Sequence, residues 1–218
     1  MSIVNLPSPN FDDRNADIEM LILHYTDTVS AQDAIDILVS PERKVSAHYV
    51  LAEDGTLYSL VDESKRAWHA GVSYWRGKEN VNAVSIGIEI VNPGHIHGYR
   101  EFTKEQYDVL IPLCQRIKKQ YGIKDVNIIA HSDIAPERKK DPGELFDWKL
   151  LAENGLGLWP KGAVFSTSDA KLNELGYRQH NEASITAFQR HWRQSKVDGQ
   201  WDDECCGILE NLLKQSGR

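Results

Sequence analysis

His131, Lys139 and Asp141 lie close together in Ile128-Ile-Ala-His131-Ser-Asp-Ile-Ala-Pro136-Glu-Arg-Lys139-Lys-Asp141-Pro142-Gly143. A short apolar run, Val126 to Ala130, reads as a buried strand that delivers His131 at its end. Pro136 and Pro142 forbid a regular helix beyond His131, so an ordered loop is expected there. In an extended chain residues two apart point to one side, which aims Lys139 and Asp141 together at whatever His131 faces. A histidine and a carboxylate suit zinc, and a catalytic zinc takes three protein ligands and keeps one open position. The second histidine this needs is best supplied by His24, which closes the apolar run Met20 to Leu23. On these residues alone, capping or surface polar roles for His131 and Asp141 stay open.

A carboxylate of another kind sits at Glu89. Val84 to Val91 reads as a strand in which Ile86, Ile88 and Ile90 take one face and Ser85, Gly87, Glu89 and Val91 the other. A lone Glu in such a strand is costly unless it is paired or functional. Its small neighbours Ser85 and Gly87 leave space beside it, which favours a catalytic role over a structural ion pair.

These residues need a framework. The chain has 218 residues, 41% hydrophobic and 26% charged, values of an ordinary globular protein. A formal charge of −7 argues against nucleic acid, which requires clustered Lys and Arg. Residues 161 to 218 hold eight basic and eight acidic side chains, so the acidic excess lies in residues 1 to 160. No apolar run approaches the ~20 residues of a membrane span. The N-terminus has neither the basic region nor the apolar core of a signal peptide. The cytoplasm is therefore expected, or the periplasm if a leader has been trimmed away. Cys114, Cys205 and Cys206 read as reduced thiols, and nothing bears on the oligomeric state.

The first seventeen residues read as an extended lead-in, and Met20 to His24 as the first buried strand. Ser30 caps a short helix with Ala34, Ile35 and Leu38 on its apolar face. Ala47 to Leu51 and Thr56 to Val61 form a hairpin about Asp54-Gly55. Arg66 to Trp75 is expected to be a loop rich in aromatic and polar groups, while His95 and His97 are loop residues without a role. Thr103 and Gln106 make a capping box for a helix ending at Tyr121 before Gly122. Pro112 predicts a kink in it or a later start. A helix over Phe146 to Glu153 comes after the metal loop. Beyond a boundary at Pro160-Lys-Gly162, Ser168, Asn181 and Asp202 are predicted to cap three helices.

With these segments in place a family resemblance emerges. His131-Ser-Asp-Ile-Ala-Pro-Glu-Arg-Lys139-Lys-Asp141-Pro-Gly closely resembles the signature loop of zinc-dependent N-acetylmuramoyl-L-alanine amidases of type 2, the AmpD/AmiD-like group. Leu23-His24-Tyr-Thr26, Ser46-Ala-His-Tyr-Val50, Arg66-Ala-Trp-His-Ala-Gly71 and Ser85-Ile-Gly-Ile-Glu89 extend the match in the same order. The resemblance implies an α/β fold, a mixed central β-sheet flanked by helices, shared with peptidoglycan-recognition proteins. It also implies one zinc per chain on His24, His131 and Asp141, with Glu89 as general base and Lys139 as charge stabiliser. The reaction implied is hydrolysis of the amide between N-acetylmuramic acid, or its 1,6-anhydro form, and L-alanine. Its substrate would be peptidoglycan or a muropeptide, in cell-wall turnover or recycling. Tyr25, Arg66, Trp68 and His69, within the matching motifs, become candidate substrate contacts; His69 stays out of the ligand set because the resemblance places the ligands elsewhere.

Two other functions compete with this one. A non-catalytic peptidoglycan-recognition protein is disfavoured by the intact ligand set, and a zinc peptidase would be separated by its products. Residues 161–218, with Ala187-Phe-Gln-Arg190 and Val197-Asp-Gly-Gln-Trp201, resemble the small three-helix peptidoglycan-binding module that accompanies many murein hydrolase domains. Residues 1–160 would then be the catalytic domain. A helical appendage that only buttresses it is the alternative.

Overall fold

A computed structural model describes residues 3–162 and 164–217. Met1 and Ser2 of the expected lead-in, and Ala163 and Arg218 of the expected C-terminal module, lie outside the described residues. The strands are β1 (Ile3–Asn5), β2 (Phe11–Asp13), β3 (Met20–Tyr25), β4 (Tyr49–Leu51), β5 (Leu57–Ser59), β6 (Lys65–Ala67), β7 (Ser85–Ile90) and β8 (Ile128–Ala130). The longer helices are α1 (Ala31–Val39), α4 (Lys104–Tyr121), α8 (Glu182–Trp192) and α9 (Asp203–Gln215). Shorter ones are α2 (Val81–Val84), α3 (Gly94–His97), α5 (His131–Ile134), α6 (Trp148–Glu153) and α7 (Leu172–Leu175).

Six strands form one mixed sheet in the order β1-β5-β4-β7-β3-β8, in which only the β4/β5 pairing, the expected hairpin, is antiparallel. β3 and β7 are central and covered on both faces, which is why β3 reads as a nearly unbroken apolar run. One face, carrying Leu21, Leu23, Ile86, Ile88 and Ile90, packs on α4 and α6. The opposite face is shared. Val50 meets Leu38 of α1 near one edge, while Met20, Ile22 and Ile129 meet Trp75 and the apolar faces of α7, α8 and α9. The C-terminal helices thus bury their cores against the sheet, and a cleft opens between α1 and the segment from His131 to Asp141.

Several local expectations hold in detail. Ser30, Thr103, Asn181 and Asp202 cap their helices with side-chain oxygens, Thr103 and Gln106 form the full box, and Gly122 takes the left-handed stop. Others need correction. The lead-in contains β1, parallel to β5, and β2, which pairs with β6 and so puts Arg66 on a strand in place of the expected loop. α4 starts at Lys104 and runs through Pro112, so the later start does not occur. Pro112 faces solvent, where the carbonyl it leaves unpaired can bond water. Ser168 is not the cap of α7, which begins only at Leu172 after Lys171. The metal segment opens on the α5 turn before becoming a loop, and a 3-10 turn at Asp125–Asn127 shortens the strand expected from Val126.

Candidate metal centre and active site

Parallel register sets the first part of the site. β3 and β7 lie side by side with His24 opposite Glu89, and β8 ends at Ala130, so His131 comes at the same end of the sheet. Ligand sites in parallel sheets gather at such carboxyl ends. The loop after α5 then folds back: the Ser132 N–H donates to the Asp141 carbonyl at 3.0 Å, setting Asp141 beside His131.

Three donor atoms converge there. His24 Nδ1 and His131 Nδ1 are 2.9 Å apart, and Asp141 Oδ2 lies 3.1 Å from the first and 2.9 Å from the second. Tetrahedral zinc ligands at ordinary bond lengths stand about 3.3 Å from one another, so little adjustment separates this triangle from a metal site.

The proton inventory decides what the triangle is for. The Ser85 hydroxyl donates its one proton to the Val81 carbonyl at 2.7 Å, so it must accept from His69 Nε2 at 3.1 Å. His69 Nδ1 is then bare and accepts from His24 Nε2 at 3.0 Å, which leaves His24 Nδ1 without a proton. His131 Nε2 lies 3.1 Å from the Ala70 carbonyl and must donate to it, turning His131 Nδ1 toward Asp141. Burial, then the neighbouring His131, lowers His24 to about 4, so it is neutral at pH 7. Burial by itself would raise Asp141, but His131 and His24 outweigh it and hold the carboxylate ionised. Two ring nitrogens and a carboxylate oxygen therefore face one point. Such a donor set fits a cation, and His69, Ser85 and Ala70 orient it as outer partners orient metal-bound imidazoles. A Cβ on Gly87 would come within 2.4 Å of the His69 ring, so glycine lets this ring lie flat against β7.

Glu89 stands beside the triangle with Oε1 3.9 Å from His24 Nδ1 and its side chain 14% exposed. Oε2 is buried with no hydrogen-bond partner. Burial, then the charge of Asp141, raises its carboxyl well above the usual range, against the pull of Lys139. A base of raised affinity beside a cation site can carry a proton.

A cleft of about 360 Å³ opens over these groups. Tyr25, Trp68, His69 and Lys139 line it, so three of the four candidate substrate contacts and the candidate charge stabiliser reach the cleft. Arg66 is not among its lining residues: it is paired with Asp12 and bonded to Asn80. His95, which the sequence left without a role, also lines the cleft, stacked on Tyr99 and 3.0 Å from the Tyr25 hydroxyl. No sequence signal singles it out, because its partners are 70 and 49 residues away, at Tyr25 and Glu144.

A sheet that brings three candidate metal ligands and a buried carboxylate to the floor of one cleft has the parts of a metal-centred hydrolase. The chain belongs to the N-acetylmuramoyl-L-alanine amidase family, whose profile it matches over residues 14–144. It is 36% identical to N-acetylmuramoyl-L-alanine amidase AmiD of Escherichia coli (strain K12), across 92% of this chain and 84% of that protein. The solved complex of Escherichia coli AmiD with the substrate anhydro-N-acetylmuramic acid-L-Ala-D-γ-Glu-L-Lys superposes with a TM-score of 0.84 at 32% identity. That match covers 95% of this chain and 98% of the other. AmpDh3 of Pseudomonas aeruginosa in complex with anhydromuramic pentapeptide gives 0.83 at 31% identity, covering 91% and 92%. The mixed sheet with flanking helices is thus the amidase fold, and no helix among the described residues is long and apolar enough to cross a membrane.

Proposed function

We propose that the chain hydrolyses the amide joining the lactyl group of N-acetylmuramic acid, or its 1,6-anhydro form, to L-alanine of a peptidoglycan stem peptide. One zinc ion would be held by His24, His131 and Asp141. The observation that carries this reading is the convergence of His24 Nδ1, His131 Nδ1 and Asp141 Oδ2 in one buried triangle. Zinc, when bound there, supplies Lewis acidity, lowering the pKa of a water to about 7 and polarising a carbonyl. Glu89 takes the proton of the attacking water and returns it to the leaving nitrogen as the C–N bond breaks. The products are the lactyl carboxylate and a peptide with a free L-alanine amine. Lys139 stabilises the oxyanion as it develops on the carbonyl oxygen. Tyr25, Trp68 and His95 border the space the muropeptide would fill.

We assign residues 1–160 to the catalytic domain and residues 161–218 to the three-helix module. Metal analysis and product mass spectrometry on one sample test the function. One equivalent of zinc and release of peptide with a free N-terminal alanine are expected. Cleavage within the peptide would make the protein a peptidase, and full turnover in metal-stripped protein would end the metal mechanism.

A further inference from the structure

A second histidine–carboxylate cluster lies under the metal loop. Asp133 belongs to the α5 turn, two residues after His131, and its side chain is 0% exposed. Its Oδ2 accepts from the Ala130 N–H at 2.9 Å and from His191 Nδ1 at 2.6 Å, while the Tyr177 hydroxyl donates to Oδ1. Two of these three donors come from beyond residue 160. His191, on α8, is sandwiched between the Trp148 and Trp192 rings, with centroids 3.8 and 3.7 Å away. Tyr177 lies just past α7 and packs edge-on against Trp75.

A four-residue turn cannot hold its own shape, since helix nucleation is unfavourable and a single turn gains too few bonds. α5 is held from outside, and the strongest attachment is the buried carboxylate at its third residue. A buried carboxylate is tolerable only when its lone pairs are satisfied. Tyr177 and His191 supply most of that satisfaction and so fix where α5 sits. The turn begins with His131, and its Ser132 N–H bonds the Asp141 carbonyl, so movement of α5 would displace two of the three donors together.

We propose that Tyr177 and His191 are positioning residues for the metal centre, so that the C-terminal helices complete the site and do more than append a binding module to it. This rests on the zinc reading above. It assigns the helices the buttressing role, exerted at one identifiable carboxylate.

The test uses the full chain loaded with zinc. Tyr177→Phe removes one hydroxyl, His191→Leu removes the imidazole donor, and Phe188→Leu disturbs the same buried face of α8 without touching Asp133. Zinc release to an excess of chromophoric chelator is monitored below every melting temperature, with the visible spectrum of the cobalt-loaded forms recorded alongside. Groups bonded directly to metal ligands typically carry 10- to 100-fold in affinity. Tyr177 and His191 act one bond further out, through Asp133, so Y177F and H191L should lose zinc about threefold to tenfold faster than wild type and shift the cobalt bands. F188L should lower the melting temperature while leaving both readouts unchanged. If H191L fails to fold, Y177F against F188L decides. Wild type that holds zinc while Y177F releases it no faster than F188L overturns this inference alone. Wild type that takes up no zinc overturns the metal reading and this inference with it.

Discussion

The two histidine–carboxylate clusters sit back to back on one short segment, yet they are built to opposite rules. Around Asp133 each carboxylate oxygen meets a donor: the Tyr177 hydroxyl, the His191 Nδ1–H and the Ala130 N–H. Around Asp141 the histidines donate outward from Nε2, to His69 and the Ala70 carbonyl, and turn both Nδ1 atoms inward on the carboxylate. Both clusters are buried, and composition does not distinguish them. Donors on every oxygen mark a cluster that stabilises a fold, whereas three ligand atoms converging on one point mark a cluster with the geometry to take a cation.

Substitutions on each side break the comparison in different ways. Asp141→Ala should abolish zinc binding and turnover while leaving the metal-free chain about as stable as wild type, because the triangle contributes little to folding without its ion. Stoichiometric zinc in the purified variant would remove Asp141 from the ligand set. Asp133→Ala should do the reverse to the fold, costing about 3–5 kcal/mol by stranding buried partners. Urea unfolding of the metal-free protein measures this, and a cost under about 1 kcal/mol, the net worth of a single ordinary hydrogen bond, would make the inner cluster dispensable.

Glu89 and Lys139 sharpen the functional side. Glu89→Gln is nearly isosteric and should keep zinc while losing about 10²-fold or more in kcat. Near-normal turnover would return Glu89 to a bystander. Lys139→Ala should also retain zinc and lower kcat by roughly 10²-fold, the worth of about 3 kcal/mol of oxyanion stabilisation. A change confined to KM would make Lys139 a binding residue instead.

His48 offers a further test, since it is another buried histidine and its hydrogen bonds reach none of the candidate ligands. Its Nδ1 accepts from the Gly87 N–H at 3.0 Å, and burial, helped by the nearby Arg14, lowers it to about 4 against 6.5 unfolded. A depressed histidine contributes its full stability above the unfolded value and loses it as the pH falls from 6.5 toward 4. The loss from His48 should be roughly 3 kcal/mol. Comparing metal-free wild type with His48→Gln from pH 7 to 4 isolates it, and parallel stability curves would contradict the assignment.

Much of the site is legible in the sequence because its residues interrupt strong patterns. His24 and His131 close apolar runs, Glu89 is a lone acid in a strand of alternating isoleucines, and Thr103 with Gln106 spells out a helix start. β1 and β2 are not legible: three residues each, exposed throughout and paired only along their edges, they carry no alternation. The Asp133 cluster is hidden for another reason. Its members are separated by 44 and 58 residues in sequence, and no local periodicity records such a meeting. Helical spacing gives α8 its apolar face but cannot say that His191 shares it.

The pairing of His24 with Glu89 across β3 and β7 has a mechanical consequence. Two groups on adjacent central strands are spaced by the sheet's own repeat of about 4.8 Å, a dimension set by backbone hydrogen bonds that no surface change can stretch. The candidate base and the first candidate ligand therefore form a fixed gauge. Asp141, borne by a loop, is the compliant jaw: a larger ion than zinc would be accommodated by its displacement, leaving the distance between base and strand-borne donor as the sheet made it.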